Sequence, residues 1–161
     1  MANHKFLIED VFEEEYDLVA IHCVEEAYKI AYLINKYTNL RLHRKERDLD
    51  FSYDGTEVFY PIFEFNDEHN YINYTLVANR CKSIPVHVMS SGGLFEEIEN
   101  SVTHFLLPEM KKVDYFLKIH SESNVTPVKN IITSIHKIKQ VISAYSIAVE
   151  NIKQKNNLIF D

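Results

Sequence analysis

The stretch LLPEMKKVDYFLKI, residues 106–119, places a proline, two carboxylates and a tyrosine inside an otherwise apolar run. Pro108 removes a backbone donor and favours an extended Leu107, so the chain is expected to stop or kink here. Beyond the proline, period-two alternation predicts a strand with one face formed by Val113, Tyr115, Leu117 and Ile119. A helix that starts at Pro108 is the rival assignment, because apolar residues here also fit a helical stripe. The β-rich run after residue 112 favours the strand.

The segments on either side of this stretch predict helices next to strands. Residues 17–23 are short, apolar and rich in β-formers, and residues 24–37 then carry apolar side chains at helical spacing. After the stretch, Thr126-Pro127 offers an N-cap followed by proline at the first helical position. Period two returns at residues 141–149, with one face formed by Val141, Tyr145, Ile147 and Val149. Each half of the chain therefore contains a strand, a helix and a further strand.

Antiparallel strands are predicted between these two halves. Residues 39–53 and 56–66 each suit a strand, and Asp54-Gly55 between them suits a tight turn that needs positive φ. Pro61 indicates a bulge or an edge strand. Residues 71–80 alternate apolar with more polar side chains, which predicts one buried face. The punctuated, polar residues 82–101 are expected to form a surface loop.

These elements predict a single α+β domain over residues 1–161. The expected architecture is a two-layer sandwich in which two helices cover one face of a mainly antiparallel sheet, as in a ferredoxin-like relative. An edge strand of such a sheet can pair with another chain, which makes a homodimer or a protein partner an expected form of contact.

Composition excludes several functional classes. The formal net charge of −7 opposes binding of nucleic acid, which requires a basic surface. No apolar run approaches the length of a membrane span, and the first residues lack the pattern of a signal peptide, so a cytoplasmic location is expected without membrane contact. The only cysteines, Cys23 and Cys81, form no CxxC and are expected to be two small buried thiols without a disulfide.

The segment LPEMKKVDY, residues 107–115, resembles the signature of the bacterial IPExxxVDY family. The positions that match it are Pro108, Glu109, Val113, Asp114 and Tyr115, while Leu107 replaces isoleucine. The surrounding AYLINKY, LVANRCK, DYFLKI and KNNLIF also look familial, so the resemblance covers nearly the whole chain. It implies a small bacterial protein, and it provides no catalytic assignment to carry over.

The motif admits a catalytic and a structural interpretation. Glu109 and Asp114 could act as an acid and base pair if one cleft held their pKa values apart. The structural interpretation is favoured, because a carboxylate that caps backbone donors in a turn and an aspartate that pairs with a cation are common. Tyr115 is expected to be a core ring with its hydroxyl satisfied at the edge.

A second candidate site is the basic stretch RLHRKER, residues 41–47. In strand geometry its cationic stripe would consist of Arg41, His43, Lys45 and Arg47. Such a stripe could receive a small anionic ligand. The favoured alternative is that these side chains protect an exposed strand or pair with residues 13–15, which are all glutamates.

No metal site or cofactor is predicted. The eight histidines show neither HxH nor HExxH spacing, and His22 and Cys23 are neighbours that a strand would point to opposite faces. The leading hypothesis is therefore a non-enzymatic interaction or regulatory module that contacts a protein or a small anionic ligand. The alternatives are a small enzyme that uses Glu109, Asp114 or Tyr115 as acid or base, and a metabolite sensor at a dimer interface.

Overall fold

The structure is a computed structural model that describes residues 15–83, 101–123 and 125–160. Within these ranges the strands are β1 (Tyr16–Cys23), β2 (His43–Arg44), β3 (Leu49–Tyr53), β4 (Thr56–Tyr60), β5 (Ile62–Asp67), β6 (Ile72–Ala78), β7 (Arg80–Ser83), β8 (Val102–Phe105), β9 (Tyr115–Ser121) and β10 (Val141–Ile147). The helices are α1 (Ala27–Tyr37) and α2 (Val128–Ile135), and short 3-10 turns lie at Pro108–Met110, Val149–Asn151 and Lys155–Leu158.

Six strands form the main sheet in the order β10-β1-β9-β6-β5-β2, and each neighbouring pair is antiparallel. One row across the sheet pairs Val19 with Leu117, Leu117 with Leu76, and Leu76 with Phe63. The β3–β4 hairpin and the β7–β8 pair are separate two-stranded sheets. The predicted α+β class, with a large antiparallel sheet and two helices, is confirmed.

Both helices pack against one face of this sheet. The first hydrophobic cluster joins Ile30 and Ile34 of α1 and Ile131 and Ile135 of α2 to that face. Residues four apart lie on one side of a helix, so each pair forms a continuous apolar stripe. The predicted N-cap of α2 is wrong, because the Thr126 hydroxyl instead donates to the carboxylate of Asp17.

The opposite face of the sheet is also covered. The second hydrophobic cluster includes Val58 and Tyr60 of the hairpin, together with Ile152 and Leu158 near the end of the described chain. Strand β6 is therefore buried on both faces, and the prediction of one buried face is wrong. The polar residues that alternate along β6 do not mark a solvent-exposed face, because a second layer of residues covers them.

Two predicted strands are each divided. Residues 39–53 contain β2 and β3, and residues 56–66 contain β4 and all of β5 except its last residue, with Pro61 between them. Asp54 and Gly55 have φ angles of 48° and 81°, so the predicted turn is confirmed. Pro61 marks the point at which the chain passes from the hairpin to the main sheet.

The opening stretch combines its two predicted assignments. Pro108–Met110 is a single 3-10 turn, and the following strand starts only at Tyr115. Val113 precedes this strand and packs in the second cluster, whereas Tyr115 packs in the first. Their predicted common face is therefore wrong. Most of the predicted loop at 82–101 lies outside the described residues, and Lys82 and Ser83 belong to β7.

Strand β10 carries a β-bulge that changes its predicted face. Val141 lies opposite Cys23 and Ser143 lies opposite the preceding His22, so Ile142 is an extra residue. Val141 packs with the helices, whereas Tyr145 is aligned with Ala20 of the second cluster. Val149 lies beyond the strand in a 3-10 turn. In the described ranges, no helix has the length and apolar character needed to cross a membrane.

Candidate functional site

The predicted motif forms a corner between β8 and β9. Leu106, Leu107 and Val113 are almost completely buried against the second cluster. Pro108 starts the 3-10 turn, where its missing N–H removes no helical hydrogen bond. The apolar residues thus anchor the corner, and the polar groups of the corner need partners from other segments.

Asn79 supplies partners for three backbone groups of this corner. Its side-chain NH₂ donates to the carbonyls of Met110 and Val113, each at 2.9 Å, and its Oδ1 accepts the N–H of Leu107 at 2.9 Å. The backbone of Asn79 adds bonds to Asp114 and Leu106. Asn79 is itself fully buried. Strict alternation along residues 71–80 instead predicts an outward polar position for Asn79, because periodicity carries no sign of the corner that this side chain contacts.

Glu109 bonds to the segment that follows the last strand. Its Oε1 accepts the N–H groups of Lys153 at 3.0 Å and Gln154 at 3.3 Å. Asn157 binds the same corner from the next turn, since its side chain donates to the Leu106 carbonyl at 2.8 Å. This is the predicted use of a turn carboxylate as an acceptor for backbone donors.

Asp114 holds the end of β1 in place. Its Oδ2 accepts the N–H of Cys23 at 2.8 Å, and its Oδ1 forms an ion pair with the half-exposed Arg80. The Tyr115 hydroxyl donates to the Glu25 carbonyl, and burial raises the pKa of Tyr115 to about 12. Glu109 and Asp114 therefore use their carboxylates on different segments of the chain.

The predicted basic stripe is only partly a strand. Strand β2 contains just His43 and Arg44, and the residues on either side of it are irregular. A groove of about 880 Å³ is lined by three of the four predicted residues, namely His43, Lys45 and Arg47. Arg41 is exposed but is not among the lining residues.

Carboxylates balance much of the positive charge in this groove. Arg44 forms a two-oxygen ion pair with Asp48, with N–O distances of 2.6 and 2.7 Å. Nζ of Lys45 lies 3.4 Å from Oε2 of Glu64. Of the glutamates predicted to pair with the stripe, residues 13 and 14 lie outside the described residues. The groove is thus mixed in charge rather than a continuous cationic surface.

Histidine and cysteine side chains of the described residues contact individual neighbours and form no larger cluster. The described ranges contain no group of three or more His, Cys, Asp or Glu side chains placed to hold a metal ion. Cys23 is buried as predicted, and burial raises the pKa of its thiol, so it is a poor nucleophile. Cys81 is only partly buried, so the prediction of a buried thiol is wrong for that residue. Ser83 Oγ lies 2.7 Å from Nε2 of His104, a pair that the sequence did not predict because Ser83 and His104 lie on different strands. Tyr53 stacks on His104, with ring centroids 4.9 Å apart.

The edge of the main sheet that β10 forms carries no charged side chain, in contrast to the groove beside β2. Within the described part of the chain, β10 pairs with β1 along one edge and with no other strand. Ile142 and Tyr145 are exposed, at 73% and 43%. The Tyr145 hydroxyl lies 3.1 Å from Nε2 of His22, and the two rings stack with centroids 5.6 Å apart.

A comparison with protein-family models, a search of curated proteins and a search of solved structures found no match to this chain.

Proposed function

We propose that this chain is a non-enzymatic interaction module whose contact surface is the outer edge of β10, which no described strand covers and at which the N–H of Ala144 donates to Nε2 of His136. The observation that carries the proposal is the composition of that edge. An exposed edge strand presents unpaired N–H and C=O groups, and proteins usually protect it with charged side chains, proline or very short length. Strand β10 has seven residues, VISAYSI, with no charge and no proline.

The opposite edge of the main sheet provides an internal comparison. Strand β2 has two residues, His43 and Arg44, both exposed, and Lys45 follows directly. Short length and positive charge oppose pairing with another strand. The contrast between the two edges supports β10 as the edge that accepts an extended segment of a polypeptide.

The geometry of the motif supports the non-enzymatic part of the proposal. The carboxylates of Glu109 and Asp114 and the hydroxyl of Tyr115 all bond to backbone groups of neighbouring segments. Groups that are used in this way fix the fold, and the motif is then a structural determinant of the corner.

We also propose that the fold is a ferredoxin-like relative, that the chain belongs with the IPExxxVDY proteins, and that it is cytoplasmic. The order β10-β1-β9-β6 supports the first point, because β1 lies between β9 and β10, the two strands that α2 connects. The motif residues support the second. The two free cysteines support a reducing compartment.

Photo-crosslinking in the chain's own cells tests the contact surface. The photoreactive residue p-benzoylphenylalanine replaces Tyr145 on β10 or, as a matched control, His43 on β2. We expect a covalent adduct with a polypeptide from position 145 and none from position 43. Failure of position 145 to give any adduct, or equal adducts from both positions, would contradict the proposal.

A small anionic ligand in the groove beside Arg47 is a second candidate function. The size of the groove and the exposure of Arg47 favour it. Calorimetric titration with inorganic phosphate should give a saturable signal that Arg47→Ala abolishes. A titration without any signal would remove phosphate-like ligands from consideration.

A further inference from the structure

We infer that the partner of the β10 edge is a second copy of this chain, so that two six-stranded sheets join across a two-fold axis. This inference rests on the proposed function, because the edge of β10 must first be a contact surface. It adds the identity of the partner, the relative direction of the two strands and the residue at the centre of the contact.

The bulge limits where such pairing can occur. Because Ile142 is an extra residue in the pairing with β1, the regular part of β10 runs over residues 143–147. Two copies of a strand related by a two-fold axis pair in antiparallel fashion, and full overlap places the middle residue opposite its own copy. The middle residue is Tyr145, and Ser143 then lies opposite Ile147 of the other copy. The N–H of Ala144, next to this centre, donates to Nε2 of His136 at 3.2 Å, and pairing requires that the exposed His136 ring give up this bond to a carbonyl of the second copy.

The side chains in this register are compatible with one another. Tyr145 is partly exposed and its ring is already oriented by stacking on His22. Aromatic residues that lie directly opposite each other stabilise antiparallel pairs, whereas like charges in that position destabilise them. The uncharged strand brings no like charges together when it meets its own copy.

The charges that flank the strand are also self-complementary. Residues 140–149 contain no charged side chain, and the first charged residues beyond them are Lys139 and Glu150. Both are exposed. In an antiparallel pair of copies, the basic flank of one copy lies near the acidic flank of the other. A parallel arrangement would instead bring lysine near lysine, so the flanks favour the two-fold antiparallel pair.

Sedimentation velocity on the purified full chain, over a range of protein concentrations, tests the inference. We expect a species of twice the monomer mass of 18.9 kDa that dissociates on dilution. Tyr145→Lys places two positive charges at the centre of the contact and should raise the dissociation constant roughly tenfold or more. His43→Lys, on the edge formed by β2, is the matched control and should leave the dissociation constant unchanged.

A charge exchange on the flanks tests the direction of the strands without altering β10. Lys139→Glu and Glu150→Lys should each raise the dissociation constant about threefold, because each brings like charges together. The doubly substituted chain restores opposite charges and should return to the original value. These exposed positions also keep the test decisive if Tyr145→Lys fails to fold, which far-UV circular dichroism would reveal.

The outcomes separate this inference from the proposed function. A chain that stays monomeric at all concentrations, but crosslinks from position 145 to a different polypeptide, overturns the inference and leaves the proposed function in place. A dimer whose dissociation constant is unchanged by all the β10 and flank substitutions overturns the inference as well, because its interface lies elsewhere. Absence of both a dimer and a crosslink contradicts both.

Discussion

Asn79 shows how one side chain can determine the conformation of a loop. Three backbone groups of the motif corner bond to its amide, and two of these bonds, to the Val113 carbonyl and from the Leu107 N–H, are buried. The third group, the Met110 carbonyl, also accepts the N–H of Val113. Buried backbone groups that lose a partner cost free energy, since water cannot replace the lost bond. The amide is therefore expected to matter more for stability than any carboxylate of the motif.

Replacing this asparagine should destabilise the fold strongly. In Asn79→Ala, the Val113 carbonyl and the Leu107 N–H lose their partner in a buried place, and we expect the free energy of unfolding to fall by about 3 kcal/mol. Urea denaturation followed by circular dichroism measures the change. Asn156→Ala, at an exposed position, is the control and should have little effect. A loss for Asn79→Ala no larger than that of the control would show that the corner does not depend on the amide.

The two motif carboxylates should respond differently to conversion to amides. Asp114→Asn removes the charge that Arg80 pairs with and weakens the bond from Cys23, so a loss of about 1–2 kcal/mol is expected. Glu109→Gln keeps an oxygen that can accept the same N–H groups at an exposed position, and its loss should stay below about 0.5 kcal/mol. Equal losses in urea denaturation would mean that the geometry of Asp114 is not what stabilises the corner.

The sequence could predict the general role of these residues but not their partners. A carboxylate in a turn commonly accepts backbone donors, and this expectation needs only local sequence. The partner of Leu107 is 28 residues away along the chain, and the partners of Glu109 are 44 and 45 residues away. Such pairings depend on how the whole chain folds, which periodicity does not describe.

At the scale of elements, the turn between β3 and β4 was the most predictable feature. Asp-Gly between two β-rich runs satisfies the need for positive φ at both central residues. Gly55 adopts a φ of 81°, and a Cβ atom added there would meet no other atom within 4 Å. The cost of replacing Gly55 by alanine would therefore come from backbone conformation alone.

Substitution of this glycine isolates that backbone cost. Gly55→Ala should lower the free energy of unfolding by about 1 kcal/mol, because alanine disfavours positive φ. Thermal unfolding of the two proteins gives the difference. Thr56→Ala, at the next position, serves as the comparison for a local change without positive φ. An unchanged midpoint for Gly55→Ala would indicate that the turn adopts another conformation in solution.

The face of β10 was less predictable, for a physical reason. Strict alternation assigns a side to every residue, but one inserted residue reverses the assignment for all that precede it. The bulge at Ile142 places Val141 with the helices and Tyr145 on the other side. Hydrophobic pattern alone gives no sign of such an insertion, because both sides of the sheet accept apolar side chains.

At the scale of the whole molecule, covering the sheet on both faces buries tyrosines as well as aliphatic residues. Burial raises the pKa values of Tyr60, Tyr74 and Tyr115 above the usual 10.0, because the ionised phenolate is poorly solvated inside the protein. The unfolded chain can ionise these groups near their usual value. Folding and alkaline pH are therefore coupled through the buried rings.

The contribution of Tyr115 to the pH dependence of the free energy of unfolding can be measured separately. Its pKa of about 12 in the fold exceeds 10.0, so between these values the unfolded chain releases a proton that the folded chain retains. The stabilisation from burial of the neutral ring is complete below pH 10, and it is lost as pH rises from about 10 to about 12. For this one group the loss reaches at most about 3 kcal/mol.

Comparing the pH dependence of two variants then tests whether the ring is buried as a neutral group. Tyr115→Phe loses the bond to Glu25 and should be less stable near neutral pH, yet its stability should fall less steeply between pH 10 and 12. The control Tyr28→Phe, on the exposed side of α1, should follow the slope of the unsubstituted chain. Urea denaturation at each pH provides the measurement. If Tyr115→Phe and the unsubstituted chain lose stability in parallel, the phenolate of Tyr115 must be solvated in the folded protein, and the first cluster must open to water around Tyr115.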